Sequence, residues 1–259
     1  QTQVQDSVSS DSQENEDLPI VVSPSPPPSV SPPSASPRMS IQTVQLFGIH
    51  NPIRGQRRRV YTDENIEAAL QYLLPPDLES IELQNNELTA ASAARVCQYL
   101  MPLEQLIKID LCGNKAFFCQ TPSCKVDPAK AMSDLLIKNR KIREIRLVDC
   151  GLKSHSMSYI AKGILENNKT LEILDLSNND IETEGGLEIC RALEKANQLT
   201  HFAINNAGLT DEVGHLLLDL MRRHPSLIII CIENKFSPGV ALSINDAVNE
   251  KMLRLAAKK

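Results

Sequence analysis

The residues with the most reactive side chains in this sequence are seven cysteines and five histidines. Cys112, Cys119 and Cys124 are close enough in the chain to suggest a metal site. Structural zinc sites usually contain a Cys-x2-Cys hook and a clear fourth ligand, and neither accompanies these three cysteines. The sequence therefore predicts no metal and no cofactor.

Other patterns typical of catalysis are weak as well. Cys112 and His201 fall in predicted strands that are three repeats apart in the sheet. At the usual strand spacing this is about 14 Å, which is too far for a nucleophile and its base. No glycine-rich loop of the kind that cradles phosphates is present, and the chain has only ten glycines. We therefore expect a protein that is not an enzyme.

A repeated pattern, Leu-x-x-Leu-x-Leu-x-x-Asn/Cys-x-Leu, organises the rest of the chain. Five clear copies and two weaker flanking copies are found, and they start at positions 41, 78, 106, 142, 171, 199 and 227. Most intervals are 28 or 29 residues, while the first and third are 37 and 36. A fixed period in this range is typical of a leucine-rich-repeat solenoid.

Each unit alternates apolar and polar residues at its start, which predicts a strand, and has helical spacing in its second half. Residues 171–181 are the clearest copy, and the whole pattern resembles the ribonuclease-inhibitor-like class of leucine-rich repeats over residues 41–242. The Ran GTPase-activating protein and the tropomodulin repeat domain belong to the same class. The resemblance implies an α/β solenoid of about seven units, with a curved parallel sheet inside and helices outside.

The sequence predicts three regions. Residues 1–40 are rich in Ser, Pro and acid, which predicts a disordered tail, residues 41–242 form the repeat domain, and residues 243–259 form a C-terminal capping helix. Four Ser-Pro steps in the tail are candidate phosphorylation sites, with a plain solvated linker as the alternative. The serines are Ser23, Ser25, Ser31 and Ser36.

Charge and composition exclude some classes of partner. The formal net charge is −5, and residues 1–40 carry −4 of it, so the repeats are almost neutral and nucleic-acid binding is not expected. No apolar run approaches the ~18 residues of a membrane helix. Cysteines at apolar positions of the repeats indicate a reducing compartment, so we expect an intracellular protein, cytoplasmic or associated with the cytoskeleton.

Side chains between the core leucines of each strand should point to the concave face, because side chains alternate along a strand. The candidate partner-binding residues on this face are Glu82, Asp110, Arg146, Asp175, His201 and Glu233. Cys231 is expected at the central position of the last strand. Because acids predominate, a basic segment of a partner would relieve their repulsion; alternatively, Arg146 bridges Asp110 and Asp175 on a merely solvated face.

The two long intervals predict insertions on one rim of the solenoid, between strand and helix. The first carries Arg57, Arg58 and Arg59, and the second carries Phe117 and Phe118. Arginine and aromatic side chains are common anchors of protein interfaces, so we count all five as candidate partner-binding residues. The alternative is that the two phenylalanines cover the local core while the arginines are solvated.

These features favour a non-catalytic scaffold or adaptor that binds a protein partner through the concave face and the rim. A regulator of a small GTPase and an actin-associated, tropomodulin-like binder are the alternatives. We expect a monomer or one component of a larger assembly.

Overall fold

The computed structural model describes residues 43–45, 61–122, 124–167 and 169–257, except for the side chains of Tyr72 and Leu73. All of these residues belong to the unit that spans Ser40–Lys259. The predicted tail, its four serines and Arg57 to Arg59 lie outside the described residues.

Seven short parallel strands form one sheet in the order in which they occur in the chain. The strands are β1 (Thr43–Gln45), β2 (Ser80–Glu82), β3 (Lys108–Asp110), β4 (Glu144–Arg146), β5 (Ile173–Asp175), β6 (His201–Ala203) and β7 (Ile228–Ile230). A helix follows each strand: α1 (Ile66–Leu73), α2 (Ala90–Leu100), α3 (Pro128–Lys138), α4 (Met157–Asn167), α5 (Glu182–Leu193), α6 (Asp211–Arg223) and α7 (Pro238–Ala256). The prediction of a seven-unit α/β solenoid is confirmed.

The core lies between the sheet and the helices because the middle residue of each strand points inward. Ile81, Ile109, Ile145, Leu174 and Phe202 are each at most 1 % exposed, and consecutive members of this series are partners in the sheet register. Each helix packs its apolar side on its neighbours, so every repeat completes the core of the next.

Local signals in the sequence fix where several helices begin. Asp127 precedes α3 and accepts hydrogen bonds from the backbone N–H groups of Ala129 and Lys130, and Pro128 occupies the first turn. Thr89 accepts from the N–H of Ala91 at the start of α2. The final helix starts at Pro238, five residues before the predicted start, and packs so closely on α6 that a Cβ at Gly214 would lie 2.7 Å from Val240 Cγ1.

Asparagines that follow four of the strands, β2, β3, β5 and β7, tie the strand end to the preceding repeat. The side-chain amide of Asn179 donates to the carbonyls of Leu147 (2.7 Å) and Leu176 (2.8 Å), and its Oδ1 accepts from the N–H groups of Cys150 and Leu152. Asn86, Asn114 and Asn234 make bonds of the same kind at their own turns. These side chains satisfy backbone groups that the bend after each strand leaves open, and we call them the asparagine ladder.

The residue before each ladder asparagine, and before Cys150 and Ala207 at the equivalent positions of the other two turns, has a left-handed backbone conformation. Asn85, Gly113, Asp149, Asn178 and Asn206 have φ between 46° and 77°. Asn, Asp and Gly tolerate this region best, which explains their recurrence at the turn. The equivalent residue after β7 is Glu233, with φ 59°, so the seventh turn has the same geometry without a favourable residue type.

We expect Asn179→Ala to lower the free energy of unfolding by about 3 kcal/mol, because it leaves buried carbonyl and N–H groups without partners. Asn234 makes equivalent bonds in a partly exposed position, so Asn234→Ala should cost less. Urea unfolding followed by circular dichroism measures both, with Asn249→Ala on the exposed side of α7 as the control. Equal losses for all three variants would contradict the role assigned to the ladder.

Candidate functional site

The concave face is built from the outward-pointing residues of the seven strands. The register aligns Gln45, Glu82, Asp110, Arg146, Asp175, Ala203 and Ile230 as one central row across the sheet. A second row, two residues earlier on each strand, contains Thr43, Ser80, Lys108, Glu144, Ile173, His201 and Ile228. Four of the predicted site residues, Glu82, Asp110, Arg146 and Asp175, are therefore neighbours in one row, and His201 lies beside it.

Charges on the first half of the face neutralise one another. Lys108 Nζ lies 2.6 Å from Glu82 Oε1 and 3.8 Å from Glu144 Oε1. Arg146 Nε donates to Glu144 Oε1 at 2.6 Å, and Gln45 donates to Glu82 at 2.9 Å. The hydrogen bond to Glu82 raises the pKa of Lys108, and the bond to Glu144 raises the pKa of Arg146. We call this chain from Gln45 to Arg146 the ion ladder.

The ion ladder corrects one sequence-based alternative. Arg146 does not bridge Asp110 and Asp175, because its guanidinium pairs with Glu144 on its own strand. Glu144 and Arg146 are two residues apart and therefore side by side on the same face, about 6.7 Å apart along the strand, which is within reach of two long side chains. The acids of the first half of the face thus already have cationic or amide partners.

Asp110 is a buried member of the row, with 4 % of its surface exposed. Its carboxylate accepts from Gln84 Nε2 at 2.8 Å and from the backbone N–H of Cys112 at 3.1 Å. A buried carboxylate with these partners contributes to the local structure as well as to the charge of the surface. Replacement by lysine would place a cation in the same position and destabilise the repeat.

The last strand differs from the prediction by one position. Ile229 pairs with Phe202 in the register and is fully buried, Cys231 is 3 % exposed, and Ile230 and Ile232 are 43 % and 53 % exposed. Cys231 is therefore a core residue, and Ile230 occupies the concave position that was predicted for Cys231. Glu233 lies in the turn after β7, where its side chain is exposed, and is not on the strand face.

The second insertion, between β3 and α3, places its aromatic residues inside the molecule. Phe117 and Phe118 are 0 % and 1 % exposed, and their rings meet edge to face with centroids 5.0 Å apart. The side chains cover the core where the chain leaves the regular repeat, and they are not available for a partner. This corrects their assignment as partner-binding residues and agrees with the alternative of local core packing.

The cysteines near this insertion have separate surroundings. Cys119 Sγ lies 3.5 Å from the carbonyl oxygen of Lys115, and Cys124 Sγ lies 3.2 Å from Thr121 Oγ1. Burial and a hydrogen bond with Asp110 raise the pKa of the Cys112 thiol to about 12. Within the described ranges, no three His, Cys, Asp or Glu side chains are grouped closely enough to hold a metal ion.

Two further structural results bear on partners. His201 is exposed, and its ring Nδ1 lies 2.9 Å from Thr200 Oγ1. Among the described residues, no helix combines the length and apolar character needed to cross a bilayer.

We expect Phe118→Ala to lower the free energy of unfolding by about 3–5 kcal/mol, because it opens a cavity next to Phe117. Thermal and urea denaturation measure the loss, and Phe118→Leu, which keeps most of the apolar volume, should cost less. A loss below about 1 kcal/mol for the alanine variant would contradict the core role and restore the aromatic pair as a contact surface.

The Cys112 thiol should react with iodoacetamide at pH 8 at least about a hundredfold more slowly than cysteine in the unfolded chain, because the thiolate is the reactive form. Quantitative mass spectrometry of the alkylated peptide follows the rate, with the protein in guanidinium chloride as the control. A rate within tenfold of the unfolded chain would contradict the raised pKa of the Cys112 thiol.

Comparisons with known proteins agree with this architecture. A leucine-rich-repeat family model matches residues 167–190. Ribonuclease inhibitor from Mus musculus is 29 % identical over 171 residues, which is 65 % of this chain and 36 % of that protein. NACHT, LRR and PYD domains-containing protein 5 from Bos taurus is 27 % identical over 186 residues, which is 70 % of this chain and 16 % of that protein.

The tropomodulin C-terminal domain of Caenorhabditis elegans is a structural neighbour at 12 % identity and a TM-score of 0.46, covering 76 % of this chain and 96 % of that one. The chain spans only about a third of the length of the ribonuclease inhibitor it matches, and less of the NACHT protein. The repeat period and the strand–helix units in a single parallel sheet show a leucine-rich-repeat solenoid, and its sequence is similar to that of ribonuclease inhibitor.

Proposed function

We propose that this chain is a non-catalytic protein-interaction module that binds a protein partner on its concave face. The observation that carries the proposal is the organised surface of that face, where charged, small and aliphatic side chains stand in fixed rows on a sheet. Concave faces of solenoids present such rows as one continuous surface, which suits them to hold another polypeptide.

The chemistry of the face supports binding rather than catalysis. Its carboxylates Glu82, Glu144 and Asp110 hold hydrogen bonds or ion pairs, and Cys112 is held as a thiol at neutral pH. His201 lies on β6, three strands away from β3, which precedes Cys112. Groups arranged in this way can recognise a partner by charge and shape.

A relative gives the proposal its second support. Mouse ribonuclease inhibitor is named for an action on another protein, and its similarity covers 65 % of this chain. We propose that protein binding is the property shared with such relatives, while the partner is set by the residues of the face. Fold alone does not specify the partner, since one architecture hosts many functions.

The predicted compartment is part of the same proposal. Buried free cysteines at Cys97, Cys150 and Cys190 suit a reducing, intracellular environment. Regulation of a small GTPase and association with actin filaments remain predictions, and co-sedimentation with filamentous actin tests the second.

Site-specific photo-crosslinking tests the face directly. A photo-reactive amino acid placed at Arg146 or Ala203 should crosslink a protein partner in cells, because both positions lie on the concave face. Matched positions on outward helices, Tyr159 in α4 and Leu216 in α6, are each 36 % exposed and serve as controls.

Specific adducts from the concave positions alone would support the proposal. Adducts from Tyr159 or Leu216 with none from Arg146 or Ala203 would move the interaction to the convex side and contradict it. Circular dichroism of each variant shows that the repeat fold is kept.

A further inference from the structure

The concave face changes character along the solenoid, and its end is aliphatic. Ile228, Ile230 and Ile232 alternate with buried residues and so point to the same side as the concave rows. Ile230 and Ile232 are 43 % and 53 % exposed. Single exposed aliphatic residues are ordinary, but the half-buried Ile228 and the exposed Ile230 of β7, followed by the exposed Ile232 in the turn after it, form a continuous apolar strip.

A small residue separates this strip from an acid. Ala203 is the register partner of both Ile230 and Asp175, so it lies between them in the central row. The side chain of alanine is shorter than either neighbour, which leaves a shallow depression about two strand spacings wide, or roughly 10 Å.

Asp175 differs from the other acids of the face in its partners. Its Oδ1 accepts from the backbone N–H of Ser177 at 3.1 Å, and within the described part of the chain it forms no ion pair. The neighbouring guanidinium of Arg146 is held by Glu144 at 2.6 Å. Arg146 interacts with Asp175 electrostatically without forming an ion pair, so Asp175 is the carboxylate of this row that can pair directly with a cation from outside.

We propose that the surface from β5 to β7 is a docking site for a partner's polypeptide segment that presents a lysine or arginine next to aliphatic side chains. The cation pairs with Asp175, its methylene stem lies over Ala203, and the aliphatic residues pack on Ile230 and Ile232. The inference rests on the proposed function and deepens it, because it moves the basic contact away from Glu82 and Asp110 to the opposite end of the face.

Charge and burial together select this kind of occupant. The two rows carry Glu82, Asp110, Glu144 and Asp175 against Lys108 and Arg146, a net of −2, which disfavours an acidic segment. A wholly apolar segment would bury Asp175 without a cation, at a cost in free energy. Long basic side chains satisfy both ends of the surface, since their stems are apolar and their heads are charged.

The test uses the full chain and a random library of 16-residue peptides displayed on phage, selected without assuming a motif. Selected peptides should be enriched in Lys or Arg within four positions of Leu, Ile, Val or Met. The tightest peptide is then titrated by fluorescence anisotropy against purified variants whose fold is checked by circular dichroism.

Asp175→Asn and Ile232→Asp should each weaken the binding of this peptide about tenfold or more, since each removes one half of the contact. Glu82→Gln, at the other end of the face, should leave its Kd within about twofold. Leu242→Asp is the matched control for Ile232→Asp, because Leu242 is 62 % exposed on α7 and is not part of the apolar strip.

Other outcomes overturn the inference in distinguishable ways. Binding lost in Glu82→Gln but kept in Asp175→Asn and Ile232→Asp would refute the site while leaving a concave-face function in place. Peptides that ignore all three concave variants would refute both proposals. A library that yields no peptide, or acidic ones, refutes the stated chemistry, and a wild-type dimer that Ile232→Asp makes monomeric would assign the strip to self-association instead.

Discussion

The asparagine ladder is the interaction on which the rest of the structure depends. Strands of only three residues end after one inward side chain, so the backbone groups of the bend that follows need partners outside the sheet. Asn179 and its equivalents bond to the carbonyls of two successive repeats and thereby set the distance and register between them. Once that register exists, the rows of the concave face follow, because each row is the same strand position repeated.

Most of this arrangement can be read from the sequence, and the exceptions have physical causes. The spacing of Ile81, Ile109, Ile145, Leu174 and Phe202 predicts the strands and the central row correctly through β6, because apolar and polar residues alternate there. At β7 and just after it, every residue of one run is apolar, so alternation does not show which side chains point inward. The run is Ile228, Ile229, Ile230, Cys231 and Ile232. The position of Asn234 resolves this ambiguity. When the seventh unit is aligned on this ladder residue, the interval between the sixth and seventh units becomes one residue shorter, and the inward positions shift accordingly.

The partners of charged side chains are less predictable than the rows themselves. Placing Lys108, Glu144 and Arg146 on one face follows from alternation, but which cation pairs with which acid depends on side-chain geometry that spacing does not contain. Burial of Phe117 and Phe118 is similar, since an insertion has no repeat pattern to show which way its residues point. Asp110 shows the same limit, as its position is on the concave row while its carboxylate lies mostly below the surface.

The uniform spacing of the parallel strands also decides which conformation of a bound chain can repeat the same contact from one repeat to the next. Neighbouring strands are about 4.8 Å apart, whereas an α-helix advances about 5.4 Å per turn and an extended chain about 6.7 Å per two residues. A helix laid across the strands therefore drifts by only about 0.6 Å per repeat, and an extended segment by nearly 2 Å. Because the helical pitch nearly equals the strand spacing, a bound helix can place one side chain per turn against one repeat over several units. An extended ligand loses this match after two repeats.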